Sequence, residues 1–98
     1  MHYFVVHAYS RGKRAGAYVC CWINFRLYEG ALLLAKFYIR KAGWTVRSLD
    51  SQSWFDDVSE VARDDRRYFR EAQKDGASFV FHRYDKRRAK PGRRQIET

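Results

Sequence analysis

The stretch HYFVVHAYSRGKRAGAYVCCWINF, residues 2–25, decides the fold class. Two runs rich in aromatic and β-branched residues flank SRGKRAG (10–16), whose two glycines provide for a turn. That pattern predicts a β-hairpin with a basic tip. Strand side chains alternate between faces, so one face collects Phe4, Val6 and Ala8 with Val19, Cys21, Ile23 and Phe25. The other collects Tyr3, Val5, His7 and Tyr9 with Tyr18, Cys20, Trp22 and Asn24. The first is a core face; the second is too aromatic to be left bare to water.

Beyond the hairpin the period changes. Leu27, Ala31, Leu34, Ala35, Tyr38 and Ala42 recur at steps of three and four, predicting a helix of about four turns closed by Gly43. Arg40 and Lys41 fall in its last turn, where they suit the helix dipole. WTVRSL (44–49) reads as a third strand running on towards Trp54, and FDDVSEV (55–61) as a loop or short helical turn. A second helix is expected from Ala62 to Lys74, with Ala62, Asp65, Tyr68, Phe69 and Ala72 along one line and an ion pair between Arg67 and Glu71. Asp75-Gly76 ends it, and ASFVFHRY (77–84) is the last strand.

The predicted order is ββαβαβ. It implies an α+β fold: a two-layer sandwich with a four-stranded sheet and both helices on one face, a relative of the ferredoxin-like group whose usual order is βαββαβ. Strands two and three should run parallel if they share the sheet. The 98 residues suit a single domain, and 46% hydrophobic with 17% aromatic content is enough to build its core. Residues 1–85 form that domain. The apolar pattern stops after Tyr84, and residues 86–98 read as a flexible basic tail.

Charge is concentrated at two places. The chain carries +9 overall; residues 85–98 hold a net +4 and residues 1–14 a net +3, leaving the rest nearly balanced. No apolar run reaches membrane-spanning length, and MHYFVVHAYS lacks the basic start and cleavage site of a signal peptide. A cytoplasmic location without a membrane partner is expected. Cys20 and Cys21 are adjacent on a strand and point to opposite faces, which excludes a disulfide framework between them. Paired zinc-ligand spacings and phosphate-cradling glycine loops are absent, and Asp56, Asp57, Glu60, Asp64 and Asp65 do not match a calcium loop. Those acids suit the approach to the second helix. The sequence calls for no cofactor.

One set of residues could carry chemistry. His7, Cys20 and His82 share the outer face if the alternation holds, giving a thiol with imidazoles or a three-ligand metal site. Strand cysteines more commonly serve as small packing residues. The leading expectation is therefore a non-enzymatic binding module that docks a protein partner or a second copy of itself on the aromatic sheet face. Tyr9, Tyr18, Trp22 and Tyr84 are its contact residues, since large aromatics dominate interface energy. The size would suit a phage or mobile-element inhibitor of a host complex.

Two alternatives stand beside it. Single-stranded nucleic acid could stack on the same aromatics while Arg11, Lys13 and Arg14 of the tip and Lys86, Arg87, Arg88, Arg93 and Arg94 of the tail hold phosphates. The RNA-recognition signature is missing, so this rests on composition. The other alternative is a small-molecule enzyme with His7, Cys20 and His82 at a dimer interface.

CWINF (21–25), AGWTV (42–46) and YFREAQKDGASFVFHRY (68–84) resemble a group of small uncharacterised bacterial proteins that share a Cys-Trp-Ile strand and a closing Phe-Val-Phe-His strand. The resemblance covers residues 3–84. It implies an α+β fold and a bacterial or phage origin, and it carries over no activity.

Overall fold

The hairpin is formed by β1 (His2–Ser10) and β2 (Ala15–Ile23), antiparallel in unbroken register from His2 opposite Ile23 to Ser10 opposite Ala15. Its turn is Arg11 to Arg14, with Arg14 itself in the left-handed region at φ 49°. Gly16 therefore belongs to the strand and not to the turn, facing Tyr9 across the ladder. In this computed structural model residues 1–85 are described; the tail positions Lys86, Arg87, Arg88, Arg93 and Arg94 lie outside the described residues.

α1 (Tyr28–Lys41) leads to β3 (Thr45–Trp54), which pairs with the far side of β1. Two register slips in that ladder skip Arg47 and Asp50 on β3, so Val46 faces Ala8, Ser48 faces His7, Leu49 faces Val6 and Ser51 faces Val5. Such bulges re-aim the skipped side chain. Short 3-10 turns at Val58–Glu60 and Arg63–Asp65 precede α2 (Arg66–Asp75), and β4 (Ala77–Asp85) closes the sheet against β2. The strand order is β3-β1-β2-β4, with every neighbouring pair antiparallel. β2 and β3 do run in the same direction, but β1 lies between them.

The fold is α+β. The two helices, however, do not share a face. α1 lies on the face of Phe4, Val6, Val19, Cys21 and Ile23, burying Ala31, Ala35 and Ile39 against it. The small side chains let the helix sit close to the sheet. α2 packs Phe69 and Ala72 on the opposite face, against Trp22 and Val61 with Tyr3, Phe55 and Tyr68 around them. The arrangement is thus a helix on each face, and its all-antiparallel sheet differs from the ferredoxin-like βαββαβ order. The physical reason is that both faces of the hairpin are apolar. With α1 on the first, the segment leading from β3 at one edge to β4 at the other covers the Tyr3 and Trp22 end of the second, where Phe69 finds burial.

Local expectations are corrected in the same way. Phe25 falls beyond the end of β2, 44% exposed, and lies over Gly30, where a Cβ would come within 2.3 Å of its ring. Asn24 also lies past the strand; its N–H donates to the Gly76 carbonyl at 2.9 Å. Arg67 and Glu71 do not form the expected pair. Arg67 Nη2 donates to the Tyr68 hydroxyl at 2.6 Å, and Glu71 accepts from Ser78 Oγ at 2.9 Å. Gly43 and Gly76 do end the helices in the left-handed region, at φ 95° and 96°.

Candidate functional site

The second sheet face is laid out by the register in four rows, read from β3 across β1 and β2 to β4. They are Thr45-Tyr9-Gly16-Tyr84, Ser48-His7-Tyr18-His82, Ser51-Val5-Cys20-Val80 and Ser53-Tyr3-Trp22-Ser78. α2 covers the last row. Trp22 is only 2% exposed, with its ring centroid 4.3 Å from Tyr3, 5.7 Å from Phe55 and 6.4 Å from Phe69. Of the four expected contact residues, Trp22 is therefore a core residue beneath the chain's own helix. Tyr9, Tyr18 and Tyr84 remain together at the hairpin end.

That end is an organised cluster. His7 and Tyr18, a cross-strand pair, stack with centroids 4.6 Å apart and planes 12° from parallel. The Tyr84 hydroxyl and His7 Nε2 share a hydrogen bond of 2.6 Å. Tyr84 reaches His7 from β4 by lying across β2 over Gly16, where a Cβ would stand 2.2 Å from its ring. The glycine is needed here for close approach and not for backbone freedom. Burial pushes the Tyr84 phenol above its ordinary value, with Tyr18 adding to the rise and Arg47 opposing it.

Two cations attend the cluster. The guanidinium of Arg47, the residue skipped at the β3 bulge, lies 5.3 Å from the Tyr9 ring centroid. Arg11 Nε donates to the Tyr9 hydroxyl at 3.3 Å. At the β3 edge Ser48 of the second row donates from its hydroxyl to Asp50 Oδ1 at 2.7 Å, so among the described residues one carboxylate borders the first three rows, which themselves contain none. Tyr18 is 42% exposed, between His7 at 4.6 Å and Tyr84 at 5.8 Å. Of the other tip cations, Lys13 points away, its ammonium 5.0 Å from the Trp44 ring on the α1 side; Arg14 is exposed.

Towards α2 the platform runs into a cleft of about 380 Å³ lined by Tyr3, Cys20, Trp22, Val80 and His82 from the sheet and Asp64, Asp65, Arg67 and Tyr68 from the helix side. Burial pushes the Tyr3 phenol up, and the Cys20 side chain hydrogen-bonded beside it adds to the shift. Of the expected chemical trio, Cys20 and His82 line this cleft, whereas His7, separated from His82 by Tyr18 in the same row, is engaged by Tyr18 and Tyr84. Among the described residues no three His, Cys, Asp or Glu side chains converge to hold a metal ion. Among them also, no helix is long and apolar enough to cross a membrane.

The sequence reading missed Arg47, and it missed the outer face of α1, where Leu33 is 70% and Phe37 52% exposed. The run Leu32-Leu33-Leu34 followed by Phe37-Tyr38 extends the apolar surface of the helix beyond its buried face, a signal present in the sequence. The bulge that presents Arg47 has no such signal. Comparison of the chain with protein-family models, with curated proteins and with solved structures finds no match.

Proposed function

We propose that this protein is a non-enzymatic, single-stranded nucleic-acid-binding module that stacks bases on the hairpin end of its second sheet face. The observation that carries the reading is the Tyr18 ring, 42% exposed and stacked on His7, with Arg47 and Arg11 on the neighbouring Tyr9. Aromatic rings on a sheet stack unpaired bases, and adjacent guanidiniums take the phosphates. Asp64 and Asp65 on the cleft rim would repel phosphates and so bound the platform on its α2 side. The protein-docking reading of this face is weakened because Trp22, the largest anchor it relied on, lies beneath α2.

The test is fluorescence anisotropy of a labelled single-stranded oligonucleotide with the full chain in which the basic residues beyond Asp85 are changed to Gln. Non-specific attraction by that run is thereby removed. Tyr18→Ala should weaken binding by about 5- to 150-fold, the loss expected for one stacked base. Arg47→Ala should lower affinity and reduce the salt dependence by about one phosphate contact. Equal binding by the Tyr18→Ala protein at near-physiological salt would refute the platform.

A further inference from the structure

The outward surface of α2 carries a line of cations. Arg63, Arg67, Arg70 and Lys74 follow one another at steps of four, three and four, and all four are exposed. Arg67 stands two residues from buried Phe69, and Arg70 and Lys74 each stand two from buried Ala72, which places them about 160° around the helix from the side chains that face the sheet. The line therefore points away from the core. It runs about 17 Å, from the 3-10 turn at Arg63 to the last turn of α2.

Its charge is not neutralised within the molecule. Arg67 donates to the Tyr68 hydroxyl, and among the described residues none of the four is in an ion pair with a carboxylate. Glu71, which follows Arg67 by one turn, accepts instead from Ser78 Oγ on the sheet at 2.9 Å. Arg63 with Arg67, Arg67 with Arg70 and Arg70 with Lys74 are thus left as like-charged neighbours, an unfavourable arrangement in the free helix. A polyanion laid along the line removes that repulsion.

The composition of the line selects among polyanionic surfaces. A protein interface is built on an apolar centre, and a helix that lies on a membrane inserts an apolar face. The apolar residues of α2, Phe69 and Ala72, are already buried in the core. No ring stands on the line for a base to stack on, so it holds phosphates alone, and these are most closely spaced along the axis of a duplex.

We propose that α2 is a second nucleic-acid contact, holding the phosphate backbone of a duplex through Arg63, Arg67, Arg70 and Lys74 without reading its bases. The inference does not rest on the platform. Asp64 and Asp65 line the cleft between α2 and the platform, so the two surfaces are separate contacts and not one groove.

Fluorescence anisotropy of a labelled blunt duplex from about 50 to 200 mM salt tests it, with the full chain in which the basic residues beyond Asp85 are changed to Gln. Arg63→Gln with Arg70→Gln and Lys74→Gln should weaken binding about 10-fold or more at the lower salt. The slope of log affinity against log salt should flatten by about 2.7, three phosphate contacts at about 0.9 each. Far-UV circular dichroism should be unchanged because all three side chains are exposed. The same loss of charge on the opposite face of the sheet, Lys36→Gln with Arg40→Gln and Lys41→Gln on α1, should move the slope by less than about 1. No duplex binding, an unchanged slope in the α2 variant, or an equal loss in the α1 variant would each overturn the proposal. So would phosphatidylserine vesicles that bind more tightly than the duplex and lose that binding with the same α2 changes, which would assign the line to a membrane surface. Tyr18→Ala should leave duplex binding intact, so that failure of the platform and failure of the α2 line are read separately.

Discussion

Gly16→Ala probes the one place where backbone and side chain are pressed together at the platform. The new methyl would sit 2.2 Å from Tyr84 Cζ and 2.3 Å from its hydroxyl oxygen, so the phenol has to swing off β2. Its hydrogen bond to His7 is lost, at a net cost of about 0.5–1.5 kcal/mol. The ring contacts with Tyr18 at 5.8 Å and His7 at 6.0 Å add roughly 0.5 kcal/mol, the low end for tilted pairs at this separation. Against this, Ala narrows the unfolded ensemble and stabilises by about 0.4–1 kcal/mol, because Gly16 does not occupy the positive-φ region. The expected net change is a destabilisation of about 1 kcal/mol, with the sign reversed in a Tyr84→Ala background where nothing is displaced. Urea unfolding of the wild type, the two single variants and the double variant, followed by tryptophan fluorescence, gives the coupling as about 1.5 kcal/mol. Additivity within about 0.4 kcal/mol would show that Tyr84 does not lie over Gly16, and the account of how the cluster is assembled would fall.

Two further outcomes are expected. Cys21 is fully buried under α1, where burial first and the neighbouring Cys20 second push its thiol up, whereas Cys20 is only partly buried at the cleft. Ellman's reagent at pH 8 should therefore react with one thiol per folded chain and two in denaturant; two fast thiols in the native protein would contradict the inward register of Cys21. The Tyr84 phenol, raised chiefly by burial, binds its proton more tightly folded than unfolded. Its contribution is thus fully present below the ordinary phenol value of about 10 and is lost as pH rises through the folded value. Absorbance titration of the wild type against Tyr84→Phe should show the missing transition above about pH 10, and a missing transition at or below it would reverse the sign.

The amino-acid sequence by itself determined the elements and most of their faces. Alternation put Phe4, Val6, Val19, Cys21 and Ile23 on the core side, and Gly43 and Gly76 marked the helix ends, because strand period and left-handed caps are local properties of the chain. It also put Tyr9 and Tyr18 on one face of the hairpin, whereas Tyr84 joins them through the pairing of β4 with β2, which the tertiary structure decided. Only the tertiary structure decided which face α2 covers. Both sides of the hairpin are apolar, and a helix with one buried line fits either; the choice depends on where α1 already sits and on the connection from one sheet edge to the other. That choice turned Trp22 from a surface anchor into a core residue and left a platform that is phenolic and cationic. The same holds for Arg47, which stands over Tyr9 because the β3 ladder slips beside it, and a slip in register is fixed by long-range pairing and not by any residue pattern within the strand.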